Sequence, residues 1–274
     1  MTRVLDRVRR ILLTGSAFVV FFMGGALLSY VLLPIAWRWS GGGKAEAARR
    51  CRALLGSSWV YFHWYMRVCG LLRYDPRATR LALPQGPFVL VANHPTLVDV
   101  TALLSAHPEV VSVAKSVMFR SPLVGRLLRY CDHLDAGDGS AFSGVAVASE
   151  AVERLRAGTP VLIFPEGTRS PEQGLGQFRH GAFDIAARAG VPIIPVCIRC
   201  EPPTLMRGQR WYEIPERPPE LTVSQLPTLW PPHGPPRDTA RALRSAYLER
   251  IGAPSRDCAD AEVPAHAGSD SISP

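Results

Sequence analysis

Residues 11–37 contain no charged side chain. As one helix, this stretch would be about 40 Å long, against about 30 Å of bilayer hydrocarbon. It follows a basic start of Arg3, Arg7, Arg9 and Arg10. A cleaved signal peptide begins the same way, but its apolar core is ~7–15 residues and ends at a small-x-small site, which is missing here. The stretch therefore reads as a retained membrane anchor. A second apolar run, 53–72, has Arg67 as its only full charge and carries Trp59, Tyr61, Phe62, Trp64 and Tyr65. Such rings favour the membrane interface; the same run also fits a buried amphipathic helix of the following domain. The anchor is taken as residues 1–73, two hydrophobic helices. Lys44, Arg49, Arg50 and Arg52 make the first stretch basic on both flanks, so charge counting assigns no orientation. A hairpin entering one leaflet and a true span both remain open.

The remainder is long enough for one α/β domain, and 47% hydrophobic against 20% charged residues allows a packed core. A net charge of +8 suits nucleic acid, anionic headgroups or anionic substrates. The basic residues flank apolar segments instead of an aromatic groove, so nucleic acid is not the expected partner. The 6 cysteines are too scattered for a disulfide framework, which fits a reducing, cytosol-facing domain. Cys197 and Cys200 have redox or zinc spacing, yet no second pair accompanies them. They lie in a run that reads as a strand, where residues three apart point to opposite faces.

From residue 74 onward, apolar runs alternate with helical spacing, the pattern of an α/β domain. Strands are predicted at 88–92, 110–114, 161–164, 192–198 and 221–224. Helices are predicted at 95–106, 122–130, 144–156, 181–189 and, exposed, at 237–251. This domain is assigned to 74–252, and 253–274 lacks an apolar pattern and reads as a disordered tail.

Two motifs carry chemistry. The first is Asn93-His94-Pro95-Thr96-Leu97-Val98-Asp99, directly after a predicted strand. Five residues of helix rotate by about 140°, so His94 and Asp99 would not share a helical face. With His94 just outside the helix, the loop can fold the imidazole back onto Asp99. A carboxylate on one ring nitrogen fixes the tautomer and leaves the other nitrogen to take a proton from a hydroxyl. A helix-start histidine beside a solvated aspartate is the alternative. The second motif is Phe164-Pro165-Glu166-Gly167-Thr168-Arg169-Ser170, a strand end opening into a turn where Gly167 permits close backbone approach. Its N–H groups and Arg169 suit an anion such as phosphate or carboxylate. Glu166 could orient an acceptor or bond to the loop.

Together these motifs resemble the glycerolipid and lysophospholipid acyltransferase family, whose best-known members acylate 1-acylglycerol-3-phosphate. The resemblance rests on the His94 to Asp99 spacing, on 164–170, and on Val191-Pro-Ile-Ile-Pro-Val196, with Phe178-Arg179-His180-Gly181-Ala182 between the last two. It covers roughly 74–225. It implies an α/β fold with a mixed central sheet flanked by helices, like glycerol-3-phosphate acyltransferase, behind an N-terminal hydrophobic helical membrane anchor. It further implies that His94 is the general base and Asp99 its partner, and that Glu166, Gly167, Thr168 and Arg169 bind the acceptor. The acyl donor would be acyl-CoA or an acyl carrier protein, a co-substrate and not a cofactor. No metal is expected; the partners are membrane lipids and the donor, with the catalytic domain at the membrane facing the cytoplasm. The most direct reading is acylation of a lysophospholipid hydroxyl, that of 1-acylglycerol-3-phosphate, giving phosphatidic acid. One block departs: the family's arginine after a short strand is absent from Tyr130-Cys131-Asp132-His133-Leu134-Asp135-Ala136-Gly137-Asp138. Lys115, Arg120, Arg126 and Arg129 lie upstream.

Other classes fit less well. There is no Gly-x-Ser-x-Gly elbow for a serine hydrolase and no His-Glu-x-x-His for a zinc hydrolase. Two alternatives stay open: acylation of an acceptor without a phosphomonoester, such as a lyso-aminolipid or polyketide-like lipid, and a non-catalytic lipid-binding protein at the membrane.

Overall fold

The computed structural model describes residues 2–172, 174–230 and 234–252. The tail at 253–274 and Cys258 lie outside the described residues. The short apolar runs become a six-stranded sheet. Its strands are β1 (Val89–Ala92), β2 (Val111–Ala114), β3 (Leu134–Asp135), β4 (Val161–Ile163), β5 (Ile193–Glu201) and β6 (Glu220–Gln225). The spatial order is β3-β2-β4-β1-β5-β6. All neighbours are parallel except β5 and β6, which are antiparallel, so the sheet is mixed as expected. Every residue of β1 is buried because helices cover both faces.

Period-two alternation divides the core. Val89, Val91, Ile193 and Cys197 face one side and pack with α7 (Ala141–Arg156), α8 (Gly181–Ala189) and α9 (Pro236–Gly252). Leu90, Ala92, Ile194 and Val196 face the other, with α4 (Asp99–Ala106) and the C-terminal end of α3 (Lys44–Val68). Cys197 and Cys200 accordingly belong to opposite layers. The helix read as exposed at 237–251 has a buried stripe, Ala240, Leu243 and Tyr247, at helical spacing. Two elements escaped the sequence: the two-residue β3, held by its pairing with β2, and the five-residue helix α5 (Ser116–Arg120). The remaining helix of this region is α6 (Val124–Tyr130).

At the N-terminus, α1 (Thr2–Leu27), a π-helical turn (Leu28–Leu32) and α2 (Leu33–Arg38) run on continuously. The π turn lies just before Pro34, which has no N–H to donate to the carbonyl four residues back and whose ring crowds it. Val4–Arg38 is long and apolar enough to cross a membrane by length and composition. One side of this helix is fastened to the domain. Arg10 Nη1 donates to the carbonyls of Pro215 (2.7 Å) and Glu216 (2.9 Å), Phe18 meets Trp211 edge-on, and Ser29 Oγ donates to the Leu123 carbonyl. The other side exposes Val4, Leu5, Leu12, Val19, Phe22 and Met23. Helix α3 is woven into the domain: His63 Nε2 is 3.2 Å from Thr101 Oγ1 of α4, and Met66 belongs to the core under β1. Gly56 lets α3 approach α4 closely, since a Cβ there would sit 2.7 Å from Pro108 Cβ.

Candidate active site

The parallel strands end on one edge of the sheet, where ligands of open α/β sheets bind. His94, Lys115, Ala136 and Phe164 all lie just past the C-terminal ends of their strands.

His94 is two residues past β1 and outside α4, which starts at Asp99 and not at Pro95 as the spacing predicted. The intervening turn is shaped by Thr96. Its N–H donates to Asp99 Oδ2 (2.6 Å), its hydroxyl to Asp99 Oδ1 (2.5 Å), and Val98 N–H donates back to Thr96 Oγ1 (3.2 Å). This turn brings His94 Nδ1 to 2.7 Å from Asp99 Oδ2. An ionised Asp99 only accepts, so with that carboxylate the ring nitrogen is the donor and Nε2 carries the lone pair. The His94 side chain is 17% exposed and that of Asp99 is 0% exposed. Burial pushes the Asp99 pKa above the usual carboxylate value, while the bonds from His94 and Thr96 pull it back. The imidazole also stacks on Phe164, with centroids 4.4 Å apart and planes at 28°. Nε2 has no protein partner among the described residues. The imidazole is thus held by its carboxylate through one nitrogen, and the other is directed away from it.

The second loop supports the first. Glu166 is buried, and its Oε1 accepts from His94 N–H (3.0 Å) and Ser170 Oγ (2.7 Å), while Oε2 accepts from Gly176 N–H (2.8 Å). Ser170 N–H donates to the His94 carbonyl at 2.7 Å. Of the two roles open to Glu166, bonding to the loop is the one its geometry fits. Gly167 is exposed and has φ of 67°, a conformation that suits glycine, and the Arg179 guanidinium lies against it. Thr168 and Arg169 are half-buried beside it. Arg169 Nη1 donates to the carbonyls of Leu205 (2.9 Å) and Met206 (3.0 Å), so part of its guanidinium seats the 205–206 loop.

Asn93 opens the first motif and serves the sheet. Its side chain pairs both ways with Ile198, Nδ2 to the carbonyl (2.9 Å) and Oδ1 from the N–H (2.7 Å), which extends the β1–β5 seam past Ala92. In the departing block, Asp135 Oδ1 accepts from Ser116 Oγ and from Gly137 N–H, and Asp138 accepts from Ser140 N–H at the start of α7. Both carboxylates thus serve turns. Ala136 stands half-buried at the strand end. Among the described residues there is no cluster of metal-ligating side chains.

Known proteins resemble this chain in sequence and in fold. A 1-acyl-sn-glycerol-3-phosphate acyltransferase of Escherichia coli is 33% identical over 143 residues, covering 51% of this chain and 58% of that protein. A chloroplastic 1-acyl-sn-glycerol-3-phosphate acyltransferase of Brassica napus is 34% identical over 112 residues, which is 41% of this chain and 33% of its own length. The chain thus spans about a third of the length of the chloroplastic relatives it matches and somewhat over half of the bacterial one. Among solved structures, the 1-acyl-sn-glycerophosphate acyltransferase of Thermotoga maritima shares the fold, with a TM-score of 0.67 over 91% of this chain and 100% of that one, at 19% identity. The sequence model of the Acyltransferase family matches residues 58–199, from α3 through β5 and across both loops. The chain belongs to the Acyltransferase family.

Proposed function

We propose that this protein transfers a fatty acyl group from an acyl thioester to the hydroxyl of a lysophospholipid, most directly 1-acylglycerol-3-phosphate. The observation that carries the reading is the buried Asp99 carboxylate 2.7 Å from His94 Nδ1, which leaves Nε2 as the base. In the reaction, Nε2 takes the proton of the acceptor hydroxyl as its oxygen attacks the thioester carbonyl. The tetrahedral intermediate collapses with loss of the donor thiolate, which takes the proton back from the imidazolium. An ester and a free thiol result, and no acyl-enzyme is needed. Asp99 stabilises the imidazolium formed on the way. The donor is acyl-CoA or acyl carrier protein. Arg169 and the exposed turn at Gly167 and Thr168 receive the acceptor's anionic group, while Glu166 holds the loop.

The helix Val4–Arg38 serves as the anchor. It is fastened to the domain from Arg10 to Ser29, about 28 Å of helix at ~1.5 Å per residue. A helix joined to the domain along that length favours lying in one leaflet, its apolar outer side towards lipid. Five free cysteines among the described residues suit a cytoplasmic face.

One observation favours a second acceptor class. Ala136 occupies the strand end where the family's arginine is expected, so a phosphomonoester has one fewer cation there. Acceptors without that group are the alternative. The test is purified protein in lipid vesicles with a panel of lyso-acceptors and labelled acyl donors. Labelled ester from wild type and none from a folded His94→Ala protein is the expected result. Equal turnover by both would refute the mechanism.

A further inference from the structure

Helix α9 lies outside the matched residues 58–199, and the mechanism above gives it no part. Two of its side chains nevertheless end on the framework that holds His94. Tyr247 is fully buried, with its ring edge-on to Phe178 at 5.3 Å. Its hydroxyl sits on the seam between β1 and β5: it accepts from Val196 N–H (2.8 Å), donates to the Val91 carbonyl (2.7 Å) and lies 3.1 Å from the Val196 carbonyl. By the register of the parallel pair, this N–H and this carbonyl face each other across the seam. Two residues farther along each strand, the Asn93 side chain joins Ile198, and His94 follows directly.

Arg244 is three residues before Tyr247 on the same helical face. Its Nε donates to the Gly176 carbonyl (2.8 Å) and its Nη2 to the Leu175 carbonyl (2.9 Å). Gly176 N–H in turn donates to Glu166 Oε2, and Glu166 Oε1 receives His94 N–H. The approach at Gly176 is so close that a Cβ there would stand 2.7 Å from Glu166 Oε2. A ring packed only for its apolar area would not need a hydroxyl, and a buried hydroxyl is costly unless bonded.

We infer that α9 is a brace for the general base, with Tyr247 and Arg244 as positioning residues that fix the His94 backbone from two sides, through the β1–β5 seam and through Glu166. This rests on the reading of His94 as the base of acyl transfer. Positioning errors of about 1 Å cost up to 10²-fold in rate, so turnover is the sensitive quantity and substrate affinity is not.

The experiment uses the full chain in lipid vesicles for kinetics and in nanodiscs for NMR. Tyr247→Phe, which keeps the ring, is expected to lower kcat about tenfold with the KM of donor and acceptor unchanged, and to move the His94 Cε1–H resonance. Arg244→Gln is expected to lower kcat as well, and to have no further effect in a Glu166→Gln background, because its path runs through that carboxylate. Gly176→Ala, placed away from the α9 packing stripe, is expected to reproduce the Arg244→Gln phenotype by displacing Glu166. Unchanged kcat and an unmoved resonance in Tyr247→Phe and Arg244→Gln would overturn the brace. So would a full Arg244→Gln effect on top of Glu166→Gln, or a kcat loss that only follows the loss of folded protein. Absence of acyl transfer by wild type would defeat the enzymatic reading alone, since the His94 resonance still decides whether α9 reaches the ring.

Discussion

The loops after β1 and after β4 each contain one buried carboxylate, and the two do different work. Both accept from backbone N–H and a hydroxyl, Asp99 from Thr96 and Glu166 from His94, Gly176 and Ser170, but Asp99 alone of the two also meets an imidazole. Residue type and burial are the same, so neither tells the roles apart. The donors do. A carboxylate facing a titratable ring alters proton transfer, whereas one facing backbone fixes geometry. In the proposed reaction the first loop supplies the base and the second holds the first loop in place.

The hardest test of this contrast is removal of the ring. His94→Ala is expected to lower turnover by ~10²–10⁴-fold, the usual contribution of a positioned general base, in a protein that stays folded. Asp99→Asn should come close, because the amide presents the wrong partner to Nδ1. Wild-type turnover by either variant would dissolve the distinction between the loops.

Glu166→Gln should behave differently. One oxygen becomes an NH₂ group that cannot accept, leaving a buried N–H or hydroxyl without its acceptor, at a cost of about 1–3 kcal/mol in stability. Chemical denaturation and turnover should both decline, and more evenly than in Asp99→Asn. A Glu166→Gln protein of full stability with a raised acceptor KM would mean that the carboxylate meets substrate after all.

Arg169→Ala is expected to raise the KM of an anionic acceptor about ten- to a hundred-fold, the worth of a charge-assisted contact of roughly 1.5–3 kcal/mol. A zwitterionic acceptor should be affected less. The complementary gain is Ala136→Arg, which should sharpen the preference for a phosphomonoester, read as the ratio of kcat/KM between the two acceptor classes. Gly137 is not a usable site for that arginine. Its φ is 72°, and a Cβ would meet Ser143 Cβ at 2.4 Å.

A further effect lies outside both loops and guards any pH profile drawn from them. His133 is buried beneath β2, with Ser112 N–H donating to its Nδ1. Burial, then the nearby Arg52 charge, depress its pKa from 6.5 to about 3. Between those values the unfolded chain binds the extra proton, so stability is complete above pH 6.5 and falls as pH drops towards 3, by up to about 1.4 kcal/mol per pH unit. His133→Asn should flatten that slope in acid denaturation, and a slope unchanged by the substitution would assign it to other groups.

What the sequence revealed follows the range of each interaction. His94 and Asp99 are five residues apart, so their pairing could be inferred from one turn, and the four central strands announced themselves by apolar runs at sites buried on both faces. Glu166 meets an N–H seventy-two positions away, and Tyr247 a carbonyl one hundred and fifty-six positions away. No local pattern encodes such partners. The spacing of Ala240, Leu243 and Tyr247 did hold a signal, since it marks a buried stripe on a helix otherwise rich in charge. The two-residue β3 had none, because its extent is set by β2.

The segment after β5 touches two places at once. Near its start the Leu205 and Met206 carbonyls hold Arg169; farther on, Trp211 lies on Phe18 and the Pro215 and Glu216 carbonyls hold Arg10 of the anchor. Under the proposed function, attachment to lipid and recognition of acceptor are therefore mechanically in series. Peeling the first helix from the domain, by detergent or by truncation, would slacken the seat of Arg169 while leaving the His94–Asp99 pair intact. A soluble fragment made that way would be an incompletely assembled receptor with a working base inside it.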